Sequence, residues 1–152
     1  MPKERDVRDA GEGEVRIVEA ERQQVELRVF HLDGAIPADH PVRALWAFVE
    51  GVDLSGLYEG MGSLEGRAGR PAIDRKILLA LWLYGTIEGV GSARALDRLS
   101  KEHLVYQWIC GGVGVNYHTL ADFRVLHGEA MDELLTQSVA SLMNEGLVEL
   151  KR

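Results

Sequence analysis

Arg94, Arg98 and Lys101 stand four and three residues apart in "ARALDRLSK". On an α-helix, at about 100° per residue, this spacing lines the cations along one side, while Ala95, Leu96 and Leu99 line the other. Such a stripe suits phosphate oxygens and therefore a nucleic-acid backbone. A second candidate lies in "VNYHTLADFR", residues 115–124. There Thr119, with Asp122 three positions on, reads as a capping box that opens a short amphipathic helix. Tyr117 and His118 flank its start. Arg124 falls on its outer side with Ala121 and Val125, opposite Leu120, Phe123 and Leu126. A helix start of this kind favours phosphate through its N–H groups. Further cations, Arg67, Arg70, Arg75 and Lys76 in "GRAGRPAIDRK", could follow a nucleic-acid backbone. For each of these side chains a solvated surface is the alternative reading.

Other chemistry finds less to work with. His31, His40, His103, His118 and His127 show no metal-ligand spacing such as H-E-x-x-H. His40 beside Asp39 is better explained by a helix start than by catalysis. Neither a G-x-S-x-G elbow nor a G-x-x-x-x-G-K phosphate loop occurs, and "GGVGV" lacks the lysine and the preceding strand of a nucleotide site. Cys110 is the single cysteine, so it forms no internal disulfide or zinc site, and its apolar helix end suits an inert buried thiol. No catalytic residue and no metal ligand is assigned.

The elements that must carry the cations follow from pattern. With 152 residues, 46% of them hydrophobic, the chain can build one domain with a sizeable core. The longest apolar run, residues 77–84, is far short of the roughly 18 needed to span a membrane. The charged N-terminus lacks a secretory segment, and the expected location is the bacterial cytoplasm. The net charge of −7 opposes wholesale nucleic-acid binding, but it is uneven: −6 over residues 1–62, +2 over 63–127 and −3 over 128–152. If DNA binds, it binds the middle.

Residues 1–14 are charged and glycine-containing, and disorder is expected. Residues 15–57 read as an N-terminal lobe. Val25, Leu27 and Val29 alternate with Glu26 and Arg28 as in a strand or extended arm. Asp39 is placed to cap a helix over 40–51, with Pro41 in its first turn and Val42, Leu45, Trp46 and Val49 inward. Residues 58–72 form a Gly-rich loop. Residues 73–152 are helical. Asp74 opens an almost wholly apolar helix that should be central and buried, with Trp82 and Tyr84 filling the core. Ser92 caps the basic helix, and a short helix over 104–110 carries Val105, Trp108 and Ile109. Beyond Gly128 an amphipathic helix reaches Asn144 with Met131, Leu134, Leu135, Val139 and Leu142 inward and Gly146 as its stop. The helices on either side of Gly128 could form one rod, and "LVEL" resembles the start of a strand. The fold expected is mainly α: a multi-helix domain with helix-turn-helix character and a short extended or β N-terminal segment.

"LDGAIPADHPVRALWAFVEGVDLSGLY", "GRPAIDRKILLALWLYGTIEGVGSARALDRL", "WICGGVGVNYHTLADFR" and "LLTQSVASLMNEGLV" together resemble the N-terminal region of bacterial insertion-sequence transposases. The nearest group is the IS1182 type within the broader IS5/IS4-like set. The resemblance implies a helical region that binds double-stranded DNA at the terminal inverted repeats. It also implies a following ribonuclease-H-like domain whose Asp-Asp-Glu triad holds divalent metal, Mg2+, for phosphoryl displacement. None of the carboxylates here matches a triad position, so the expectation is a transposase region without its catalytic domain, with no cofactor of its own. The resemblance also points to the helix opening at His118 and Thr119 as the recognition helix, with Arg124 reaching a base or phosphate. The alternative is a protein-interaction module that self-associates, or that joins and inhibits a full-length transposase.

Overall fold

The computed structural model describes residues 3–8, 14–58 and 72–147. The chain divides into two compact units, Met1–Phe30 and His31–Arg152. The Gly-rich loop at 59–71 and the "VEL" that ends the suggested strand lie outside the described residues.

The first unit corrects the expectation of disorder. Strand β1 (Lys3–Arg8) pairs antiparallel with β2 (Glu14–Glu19). The register sets Lys3 against Glu19, Asp6 against Arg16, Arg8 against Glu14 and Val7 against Val15. Three of the six facing positions pair opposite charges, which favours a ladder. After a turn, residues 24–30 belong to no helix or ladder. Val25, Leu27 and Val29 are 97%, 103% and 103% exposed, so an arm and not a strand is the outcome here.

The second unit is helical. Helix α1 (Pro41–Gly51) buries Val42, Leu45 and Val49. Its cap is His40, whose Nδ1 accepts the Val42 N–H at 3.1 Å, and not Asp39. Arg43 folds back over the preceding segment, donating to the Asp33 carboxylate at 2.7 Å, the Pro37 carbonyl at 2.9 Å and the Ile36 carbonyl at 2.7 Å. The Trp108 indole N–H donates to the same carboxylate at 3.0 Å. Together they hold the Asp33 carboxyl below its ordinary range, the Trp108 bond leading and Arg43 following. Helix α2 (Ser55–Tyr58) is a single turn with Leu57 buried.

Helix α3 (Arg75–Ile87) opens on Asp74, which accepts the Lys76 N–H at 2.9 Å. Every residue from Ile77 to Gly85 is buried. A helix apolar all round must be covered on every side, and α3 packs against α1, α4, α5 and α6. Gly85 sits where a Cβ would lie 2.6 Å from Leu96 Cδ2, so the missing side chain lets α4 approach closely.

Ser92 caps α4 (Ala93–Glu102), accepting the Ala95 N–H at 3.3 Å. Helix α5 (Leu104–Cys110) is capped by His103 Nδ1 and closes on Gly111 in the left-handed conformation, φ 56°. Helix α6 (Tyr117–Asn144) runs through a non-helical residue, His127, at φ −122° and ψ 20°. The buried positions keep one phase through that kink, Leu120, Phe123, His127, Met131, Leu134 and Ser138 following at steps of three and four. Leu126, expected inward, is 68% exposed, and His127 is buried in its place. Beyond it Met131, Leu134 and Leu142 are buried and Leu135 and Val139 half-buried. The end follows the expected glycine stop: Gly146 at φ 71° donates to Met143 and Leu147 donates to Leu142, both at 3.0 Å. Among the described residues no helix is long and apolar enough to cross a membrane. The described part of the chain is mainly α-helical with a short N-terminal β hairpin.

Candidate nucleic-acid interface

The basic stripe forms as its spacing requires, with Arg94, Arg98 and Lys101 exposed along α4. Their surroundings differ. Lys101 is ion-paired with Asp97 one turn earlier and donates to the Val115 carbonyl at 3.1 Å. The Arg94 guanidinium lies 4.3 Å from the centroid of the Tyr117 ring. Arg98 has no ion-pair or hydrogen-bond partner among the described residues.

Asp97 is the joint that brings the stripe to α6. One carboxylate oxygen takes Lys101, and the other accepts the Tyr117 N–H at 2.9 Å. The carboxyl is held below its ordinary range by the Lys101 hydrogen bond first, then by the Tyr117 N–H and the Lys101 charge, against the opposing effect of burial. Asn116, not Thr119, is the α6 cap: its Oδ1 accepts the Thr119 N–H at 3.0 Å and the Thr119 hydroxyl at 3.3 Å. Thr119 is therefore a first-turn residue. Tyr117 and Thr119 have already given their N–H groups to Asp97 and Asn116, and one of those acceptors is a carboxylate. This weakens the expectation that the α6 N-terminus draws phosphate through its backbone.

Arg94, Tyr117 and His118 make a continuous stack, the two rings lying 4.0 Å apart between centroids, with His118 exposed. A guanidinium, a phenol and an imidazole at one edge can hold phosphate by charge and a base by stacking. Arg124 is exposed but engaged: it donates to the Gly91 carbonyl at 2.9 Å and lies 4.9 Å from the centroid of the Trp82 ring. The Trp82 indole N–H in turn donates to the Leu120 carbonyl at 3.0 Å. Arg124 thus clasps α6 to α3 and to the turn before α4.

Of the third group of cations only Arg75 and Lys76 are among the described residues. Arg75 is 2% exposed, which takes it off any DNA-facing surface. It donates to the Leu57 carbonyl and meets His127 Nε2, so it ties α2 and the α6 kink to the start of α3. Lys76 is half-buried, and Arg67 and Arg70 lie outside the described residues.

A family model described as Transposase domain (DUF772) matches residues 30–126. The chain belongs to this transposase-domain family. The matched segment begins at the boundary between the two compact units and stops one residue before the His127 kink. It therefore takes in α1 to α5 and the first ten of the 28 residues of α6, with the α4 stripe and the start of α6. No curated protein sequence and no solved structure matches the chain.

Within this transposase domain, pattern reading overlooked Asp97, Asn116 and Trp82. Asn116 was visible, since asparagine after a glycine loop is as good a cap as threonine. Asp97 looked like one more charge on α4, and nothing local marks its reach to Tyr117, 20 residues away.

Proposed function

We propose that this transposase domain binds double-stranded DNA at the terminal inverted repeats of an insertion sequence of the IS1182 type. The α4 stripe and the first turn of α6 face the duplex in a helix-turn-helix-like manner. One observation carries the reading: in an acidic chain, Arg94 and Arg98 are exposed side by side without a carboxylate partner among the described residues. Arg94 and Arg98 contact phosphate, and Tyr117 and His118 line the edge where α6 meets the groove. Lys101, shared with Asp97, contributes less. Arg124 supports α6 from behind.

The test is fluorescence anisotropy of a labelled duplex carrying the terminal repeat, against a scrambled duplex, over a range of salt concentrations. Each phosphate contact lowers log K by about 0.9 per decade of salt. Replacing Arg94 and Arg98 with Ala should flatten the slope by about 1.8 and weaken binding about 60-fold near ~0.1 M salt, with the difference closing toward ~1 M. A slope unchanged by the double substitution, or no binding by the wild type in dilute buffer, would overturn the reading. Association between copies is the second reading, and the exposed arm at 24–30 favours it.

A further inference from the structure

We infer that the arm, over residues 25–29, joins a second copy of the chain as an antiparallel two-stranded ladder centred on Leu27. The inference rests on the first unit alone and does not depend on DNA binding.

Val25, Leu27 and Val29 are essentially fully exposed and Phe30 is 64% exposed. Four large apolar side chains in six residues, held out in water, form an interaction surface rather than ordinary surface scatter. Val25, Leu27 and Val29 have the spacing of a strand, in which alternate residues share a face, and Phe30 falls on the other. Glu26 and Arg28, two residues apart, are already ion-paired with each other and so lie on one side of the backbone. Residues 25–30 lie outside any ladder, as an edge strand does on one side, and such a segment can pair with another chain.

The choice of a second copy comes from charge and symmetry. A two-fold axis through Leu27 sets Leu27 against Leu27, Val25 against Val29 and Glu26 against Arg28, each of the last two pairs occurring twice. Val25, Leu27 and Val29 then share one face, and on the other each charge opposes its complement, with Phe30 beyond them facing Gln24. Sliding by one residue sets charged residues against apolar ones. Sliding by two in either direction sets Glu26 against Glu26 or Arg28 against Arg28, which is destabilising. Only the Leu27-centred register satisfies both faces, and a segment complementary to itself is what an isologous dimer requires. A two-stranded ladder is marginal alone, so the association is weak and concentration-dependent.

Cysteine cross-linking reads the register directly. At the two-fold axis the facing Cα atoms are ~4.5–5.5 Å apart, within disulfide range. Two copies of residue 25 lie four residues apart along the ladder, about 13 Å, and cannot be bridged. The native Cys110 is buried and can stay in place. Leu27→Cys chains oxidised under native conditions at ~50 µM, then alkylated, should run as dimers on a non-reducing gel. Val25→Cys alone should link at least ~fivefold less, whereas Val25→Cys mixed with Val29→Cys should link well. In the otherwise native chain, Glu26→Arg should raise the dissociation constant about tenfold, as followed by sedimentation velocity, and the double exchange Glu26→Arg with Arg28→Glu should restore it. Circular dichroism checks that each variant remains folded. Three results would overturn the proposal: monomers throughout, cross-linking of Val25→Cys equal to that of Leu27→Cys, or failure of the double exchange to restore dimers. A different protein on the arm would also leave pure chains monomeric and so count against it.

Discussion

Replacing Asp97 with Ala tests whether the joint between α4 and α6 is built as described. The substitution removes the acceptor of the Tyr117 N–H, a 2.9 Å bond to a first-turn donor of α6. Losing a capping interaction of this kind costs about 1 kcal/mol, with a range of roughly 0.5–2. The substitution also removes the ion pair with Lys101, whose side chain is 60% exposed. A solvated i,i+4 pair adds only about 0.3–0.5 kcal/mol. The sum is about 1–2 kcal/mol, or a fall in Tm of roughly 3–6 °C for a chain of this size. The cap dominates, so Asp97→Asn, which keeps an acceptor oxygen, should lose about half as much. The folded-state pKa of Asp97 is depressed. The part of its contribution that depends on the charge is therefore complete above the unfolded value, near ~3.9, and is lost as pH falls through the lower folded value, which brings wild type and variant closer. Urea unfolding at about pH 7, 5 and 3 should show the wild type and Asp97→Ala separated equally at the two higher values and converging at the lowest. A difference below ~0.3 kcal/mol at neutral pH, or one that persists undiminished in acid, would refute the joint.

Two further substitutions separate structural roles from DNA contact. Asn116→Ala should cost about 1 kcal/mol in thermal unfolding and Thr119→Ala distinctly less, because Asn116 is the α6 cap; the opposite order would return that role to Thr119. Arg124→Ala should lose about 1–2 kcal/mol and shift tryptophan emission, since it gives up the Gly91 carbonyl and the face of Trp82. It should leave the salt slope of DNA binding unchanged, and a fall of about 0.9 would show that Arg124 meets a phosphate after all.

What was legible in the sequence depended on how far the deciding partner lies along the chain. Asp74 and Ser92 cap helices within two or three residues, so those starts were readable. The all-apolar run of α3 announced its own burial, and Gly146 announced the end of α6. His40 and His103 act as caps through Nδ1, a role that histidine takes less often than Asp, Asn, Ser or Thr, so pattern reading gave the first of these caps to Asp39. The hairpin in the first nineteen residues depends on a register that only pairing reveals. Arg75 went astray for the strongest reason. A charge is read as surface unless its partners are known, and its partners lie 18 and 52 residues away. In the interface the cations were legible from their spacing, but which of them are already engaged was not. Lys101 is committed by Asp97 and Val115, and Arg124 by Gly91 and Trp82, leaving Arg94 and Arg98 to carry the charge.

In the DNA complex proposed above, the chain's acidity bears on how the duplex is approached. At physiological salt, exposed charges more than about 8 Å apart are largely screened. The net charge of −7 therefore offers an approaching duplex no long-range attraction, and the proposed contact rests on Arg94 and Arg98. A duplex meeting this domain gains little from electrostatic steering, so its association rate should sit in the ordinary range of about 10⁵–10⁶ M⁻¹s⁻¹, not near the steered limit. The salt dependence of affinity should then reside chiefly in dissociation, where counterion release at the two arginines is reversed. Pairing through the arms would add a second such surface to the assembly. With a linker that spans the sites, the second contact becomes intramolecular and slows dissociation again without any new cation on either copy. A weakly held duplex and a weakly paired dimer can in this way support each other, which neither surface would show if measured alone.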